Sequence, residues 1–178
     1  MPDRHDAVDR ILEQWATTRP DVDVSPLAVI GRVSRLSRLV DRRLNANFAR
    51  FDLEDWMYDV LATLRRSGPP YSLTAGELGQ QSMVTSGAIT NRIDRLAARG
   101  LVERVPGRDR RRVLVQLTDA GRRTVDDVIG AHLAVEQDIL AGLSAAERAH
   151  LAGLLRDVLL HLGDHAPDTA DASAGATP

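Results

Sequence analysis

Residues 104–121, RVPGRDRRRVLVQLTDAG, impose a β-hairpin on a chain whose other signals are helical. Val102 to Val105 forms one short strand, PGRD makes the turn, and Val113 to Leu117 returns as β-branched and aliphatic residues. Pro fixes φ and Gly tolerates positive φ, so Pro106-Gly107 is a turn dipeptide with a mechanism. Arg108, Arg110, Arg111 and Arg112 then crowd the tip around Asp109. Alone, such a tip reads equally well as a solvated charged loop. The flanking segments decide between the readings.

Those segments carry apolar residues at helical spacing. Val8, Ile11 and Trp15 mark a first amphipathic helix, interrupted by RPDVDV. Ser25-Pro26 predicts the next start, with Ser as N-cap and Pro in the first turn. Val29, Val33, Leu36, Val40, Leu44 and Phe48 then form one stripe over about six turns. A stripe of that length predicts packing against a second subunit. Asp52 is placed to cap a third helix lined by Trp56, Val60 and Leu64, which Ser67-Gly68-Pro69-Pro70 stops. Thr74 and Glu77 have capping-box spacing. Thr85 is placed to cap a helix that turns Ile89, Ile93 and Leu96 inward and ends at Gly100. After the hairpin Thr118 opens a long helix, and Ser144 with Glu147 forms a second capping box. The last helix is expected to bury Leu151, Leu154, Val158 and Leu162, and residues 164–178 read as a disordered tail. The predicted class is mainly α with a small β-hairpin wing: a winged helix-turn-helix domain plus a helical dimerisation region.

Composition removes several alternatives. Cysteine is absent, which excludes disulfides, thiolate catalysis and Cys-ligated zinc. The five histidines (5, 132, 150, 161, 165) have no metal-ligand spacing, and no nucleophile elbow or phosphate-binding Gly loop occurs. Neither an enzyme nor a metal or cofactor protein is therefore expected. No apolar run approaches the ~18 residues of a membrane span, and the polar N-terminus lacks a signal-peptide core. A cytoplasmic protein is the expectation. The net charge of −2 conceals an asymmetry, since residues 86–112 hold eight Arg against three acids. That local field suits a polyanion.

A short helix, a tight turn, a second helix and a basic hairpin make a winged helix-turn-helix, whose second helix enters the major groove. Thr85, Ser86, Thr90 and Asn91 offer short hydrogen-bonding side chains at that helix's start, and Arg95 lies one turn beyond Asn91. Arg110 or Arg111 would enter the minor groove from the wing, with Asp109 orienting one of them through a salt bridge. A pseudo-palindromic double-stranded operator follows if the protein is a two-fold dimer.

The run GELGQQSMVTSGAITNRIDRLAARGLVERVPGRDRRRVLVQLTDAG resembles the MarR family of bacterial regulators. Its R-L-x-x-x-G-L-V-x-R hinge, D-R-R wing and L-T-x-x-G exit carry the likeness. The resemblance implies a single domain over residues 1–163: an extra N-terminal helix at 5–17, dimerisation helices at 25–50 and 118–163, and a winged helix-turn-helix at 52–117. It also implies an obligate homodimer. The added helix with Trp15, and RPDVD after it, resemble the urate-responsive branch of the family, the PecS- and HucR-like proteins. That branch marks four positions, matched here by Trp15, Asp59 in WMYDVL, Arg92 in TNRIDRL and Arg104 in GLVER. Trp15 would pack on the purine, Arg92 would hold its anionic edge, and Asp59 and Arg104, paired, would relay the change to the recognition helix. The implied function is a ligand-responsive repressor whose operator binding urate attenuates. Two other readings stay open: the same fold answering another small organic anion (a phenolic acid or polycarboxylate), and a ligand-independent DNA-architectural protein.

Overall fold

The structure is a computed structural model and describes residues 5–83, 89–107, 109 and 111–165. Thr85, Ser86 and Arg110, together with the predicted tail from residue 166 onward, lie outside the described residues. The chain divides into two compact units, Met1–Glu136 and Gln137–Pro178.

The first unit is built on α1 (Ala7–Thr18), α2 (Ser25–Ala49) and α3 (Asp55–Arg66), followed by β1 (Ser72–Thr74), α4 (Ala75–Gln81) and α5 (Ile89–Ala98). The hairpin β2 (Val102–Pro106) and β3 (Val113–Leu117) leads into α6 (Asp119–Ile139). Its core forms around α3, which buries Trp56, Met57, Tyr58, Val60, Leu61 and Leu64. Against these pack Leu78 of α4, Ile93 and Leu96 of α5, Val102, Val115 and Leu117 of the strands, and Val125 and Val128 of α6. α3 is thus buried on most of its circumference, as a helix central to a small lobe must be.

Local capping accounts for most of the boundaries. The capping boxes at Thr74/Glu77 and Ser144/Glu147 are both formed. Two predicted caps are not. α2 starts with no side-chain cap from Ser25, whose N–H and hydroxyl instead reach the Asp23 carboxylate at 2.9 and 3.1 Å. A carboxylate two residues upstream outcompetes the hydroxyl because it accepts both bonds at once. Asp52 does not cap α3 either: its φ is +54°, and its carbonyl and carboxylate accept Arg99 Nη1 and Nη2 at 2.7 Å each. That contact ties the loop before α3 to the end of α5. Gly100 ends α5 with a φ of +69°, a conformation that costs glycine nothing.

The wing is one strand wider than the sequence reading. β1 pairs antiparallel with β3, Leu73 opposite Val115, which gives a three-stranded sheet in the order β1-β3-β2. β1 escapes a pattern search because three residues are too few to show an alternation. At the hairpin's far end Gly107 N–H donates to Arg112 O at 2.8 Å.

At the base of the hairpin Thr118 caps α6, its Oγ1 accepting the Gly121 N–H at 3.0 Å and donating to Gly100 O at 2.7 Å. Gly121 lies hard against the backbone of Leu101: a Cβ there would stand 1.9 Å from the Leu101 carbonyl oxygen. The L-T-x-x-G exit is therefore a weld between α6 and the junction of α5 with β2.

The long apolar stripes are not covered within the chain. On α2, Val29 is 58% exposed, Val33 44% and Leu36 47%, while Phe48 at the far end is buried. In the second unit α7 (Ala145–His161) buries no residue within the single chain, and Leu154, Val158 and Leu162 are exposed. No described helix is long and apolar enough to cross a membrane.

Candidate DNA interface and effector positions

On α5, Thr90 and Asn91 are exposed in the first described turn, while Ile93 and Leu96 anchor the opposite side in the core. That division follows from the sequence ITNRIDRL, which places apolar residues on one face only. The hairpin carries Arg111 at an exposed tip position. Asp109 has a different task from the one expected. Its Oδ1 accepts the Arg111 backbone N–H at 3.0 Å and its carbonyl accepts the Arg112 N–H at 2.8 Å, so it shapes the turn. A short acidic side chain two residues upstream of an N–H is the geometry that favours this.

Arg95 is half exposed and already engaged. Its guanidinium contacts Glu54 at 2.5 Å and lies 4.6 Å from the centroid of Trp56. Arg92 approaches the same ring at 5.8 Å. The Trp56 indole N–H donates to the other Glu54 oxygen at 2.8 Å, and this bond, with desolvation opposing it and the Arg95 guanidinium assisting it, holds the Glu54 carboxyl below its ordinary range. Glu54, Trp56, Arg92 and Arg95 thus fix the pitch of α5 on α3. Sequence reasoning took Trp56 as core alone; the signal for its second role is that Arg92 and Arg95 stand three apart on one helical face.

The four predicted effector positions fall on four elements, α1, α3, α5 and β2. Trp15 is 44% exposed and lines a depression of about 280 Å³ with Val22, Asp23, Val24, Pro26 and Leu27. Asp59 is half-buried on α3, and Arg92 is at Trp56. Arg104, expected to pair with Asp59, instead meets Asp94 of α5 at 2.7 Å. The tight turn at Gly100 folds β2 back along α5, which brings residue 104 beside residue 94. The walls of the Trp15 depression include none of the other three positions. Among the described residues no three His, Asp or Glu side chains gather as a metal ion would require.

The sequence profile of the MarR family matches residues 51–112. The chain is 41% identical over 160 residues to the HTH-type transcriptional regulator PecS of Dickeya dadantii, covering 89% of this chain and 96% of that protein. Among solved structures it is similar to a MarR mutant from E. coli complexed with operator DNA, with a TM-score of 0.66, 31% identity, and 77% and 96% of the two chains covered. It is also similar to Bordetella bronchiseptica BpsR, whose DNA binding is regulated by 6-hydroxynicotinic acid, with a TM-score of 0.65, 26% identity, and 73% and 91% covered. A helix-turn-helix with a three-stranded wing, the added helix α1 and this extent of identity carry one conclusion: the chain belongs to the MarR family of winged-helix transcription regulators, on its PecS branch.

Proposed function

We propose that the protein is a homodimeric repressor that binds a pseudo-palindromic operator through α5 and the wing, and that urate releases it. Its family regulates transcription and is not enzymatic. The observation that carries DNA binding is the exposed polar turn at Thr90 and Asn91 beside an arginine-tipped hairpin. The E. coli MarR complex with operator DNA supports the same use of the fold. In this reading residues 25–50 and 118–163 dimerise, residues 52–117 read the DNA, and the protein works in the cytoplasm.

Arg111→Ala should weaken operator binding and flatten its salt dependence by about one unit of slope per lost phosphate contact. Titrations at several salt concentrations check this. An unchanged affinity and slope would make the wing a solvated loop.

For the effector, Trp15, Asp59, Arg92 and Arg104 are the proposed residues. The ion pair between Arg104 and Asp94 supplies a relay, because it joins the first wing strand to the recognition helix. An anion drawn to Arg104 competes with Asp94 for the guanidinium, and both DNA-contacting elements feel the loss. A coupling of about 1–3 kcal/mol shifts affinity roughly 5- to 150-fold, enough for induction. Trp15→Ala and Arg92→Ala should weaken urate binding measured by calorimetry. Asp59→Ala should leave dimerisation intact and blunt the release of operator by urate. If the parent binds no urate, or all three variants respond like it, the effector assignment is wrong and DNA binding alone survives. The flat hydroxy acid that regulates BpsR favours running phenolic and heteroaromatic acids in the same titration.

A further inference from the structure

Trp15 and the other three effector positions belong to opposite ends of α2. Arg32 Nε donates to Asp6 Oδ2 at 2.8 Å and its Nη2 to Asp9 Oδ1 at 2.5 Å, and Val8 packs over Gly31. This clasp runs α1 back along the first half of α2 and leaves Trp15 beside Val24, Pro26 and Leu27. The DNA-binding lobe meets α2 at its other end, where Phe48 is buried and Leu44 packs on the same core. Arg92 lies on that lobe, against the Trp56 ring. At about 1.5 Å of rise per residue, roughly 30 Å of helix separates Pro26 from Phe48. A single purine cannot touch Trp15 and Arg92 of one chain.

The Trp15 depression also lacks what an anion needs. Its walls carry one charged side chain, Asp23, which is itself an acid and accepts the Ser25 N–H and hydroxyl. An aromatic face without a cation is half of a site for a flat anion. The lobe carries the other half in Arg92 and Arg104.

A two-fold dimer brings the halves together. The stripe of Val29, Val33, Leu36 and Val40 is centred between Val33 and Leu36. Two copies packed on it antiparallel pair positions at equal distances from that centre, as an isologous contact does. Val24 then stands level with Asn45 of the partner subunit, one turn before that chain's α2 enters its own lobe. The spacing of the lobes selects this direction. Antiparallel packing sets the two 44–48 segments roughly 30–40 Å apart along the helices, which matches operator half-sites about 34–36 Å apart. Parallel packing would bring them within about 8–10 Å and crowd the two lobes together.

Building on the dimeric, urate-responsive reading, we propose that the effector site is assembled in trans. Trp15 of one protomer walls the site whose Asp59, Arg92 and Arg104 belong to its partner. The Arg32 clasp then has a task beyond packing, since it holds Trp15 toward the neighbouring lobe. An anion bridging Trp15 of one chain and Arg92 of the other acts on the spacing of the two lobes as well as on the pair of Arg104 with Asp94.

The test is calorimetry with urate on two mixed dimers of the full chain, each purified through two different affinity tags. One pairs a W15A chain with an R92A chain; the other pairs the parent chain with a W15A/R92A chain. Both dimers contain the same two substitutions, and circular dichroism confirms that each is folded. Repeating the tag purification after the titration confirms that the chains have not exchanged. Under assembly in trans the first dimer keeps one intact site, so it should bind urate close to the parent's affinity at half its stoichiometry. The second keeps none and should bind roughly 10- to 100-fold more weakly. The reverse pattern would show that each chain builds its own site, overturning the proposal and leaving the urate reading in place. Equal affinities in the two mixed dimers would also overturn it. A parent dimer that binds no urate would remove the urate reading and this proposal together.

Discussion

Gly121→Ala should cost the protein about 3 kcal/mol or more of stability, a loss seen as a large fall in the urea or thermal midpoint. The added methyl meets the Leu101 carbonyl oxygen at 1.9 Å and its carbon at 2.9 Å. Both are backbone atoms, so no rotamer change relieves the clash; α6 must move off the end of α5. The Thr118 bonds to Gly100 O and Leu101 O would break with it. Gly130 on the same helix is the control, since a Cβ there meets nothing within 4 Å. Gly130→Ala should stabilise by about 0.5–1 kcal/mol, the helix-propensity difference between the two residues. Midpoints that move equally for the two variants would show that the contact at Leu101 carries no weight. The same weld has a functional side. It transmits any movement of α6 to the junction of recognition helix and wing, so variants that survive folding should also show altered operator affinity.

The second large effect is expected from V33D/L36D. Both side chains are about half exposed in the single chain, on a stripe with Val29 and Val40. In the proposed dimer they lie against the partner, and two desolvated carboxylates per chain should dissociate it at micromolar concentration. Sedimentation should fall from twice 19.4 kDa to a monomer. Operator affinity should then drop by roughly 100- to 10,000-fold, because each half-site loses the effective concentration that its tethered neighbour provides. The helical signal of circular dichroism should persist, since neither Val33 nor Leu36 belongs to the core around α3. A variant that stays dimeric and keeps its operator affinity would place the dimer contact elsewhere.

Most elements were legible in the sequence, and for local reasons. The helices around Trp56, Val60 and Leu64 and around Ile93 and Leu96 follow from a period of 3.6 with punctuation by Gly and Pro. Both capping boxes follow from spacing alone, because a box closes within four residues. The cap positions at residues 25 and 52 did not follow, since each depended on a competitor the pattern does not rank: the Asp23 carboxylate in one case, Arg99 from a distant helix in the other. The candidate effector residues were legible as types and positions, but their partners were not. Arg104 was assigned to Asp59 and lies with Asp94. Arg95, read with the DNA-facing residues of its helix, contacts Glu54 and Trp56.

By itself the sequence determined the helical periods, the basic hairpin and the family motifs, all of which are properties of contiguous residues. Only the tertiary structure decided which charges meet, because an ion pair depends on where two elements cross rather than on their composition. It alone showed why position 121 must be glycine: nothing near that residue in sequence demands it, and the demand comes from the Leu101 carbonyl twenty residues away in the chain. It alone separated the arginines of α2 into Arg32, which closes on Asp6 and Asp9, and Arg35 and Arg38, which meet no carboxylate among the described residues. In sequence these three are equivalent. They differ because α1 docks at one point along α2 and leaves the next turn open.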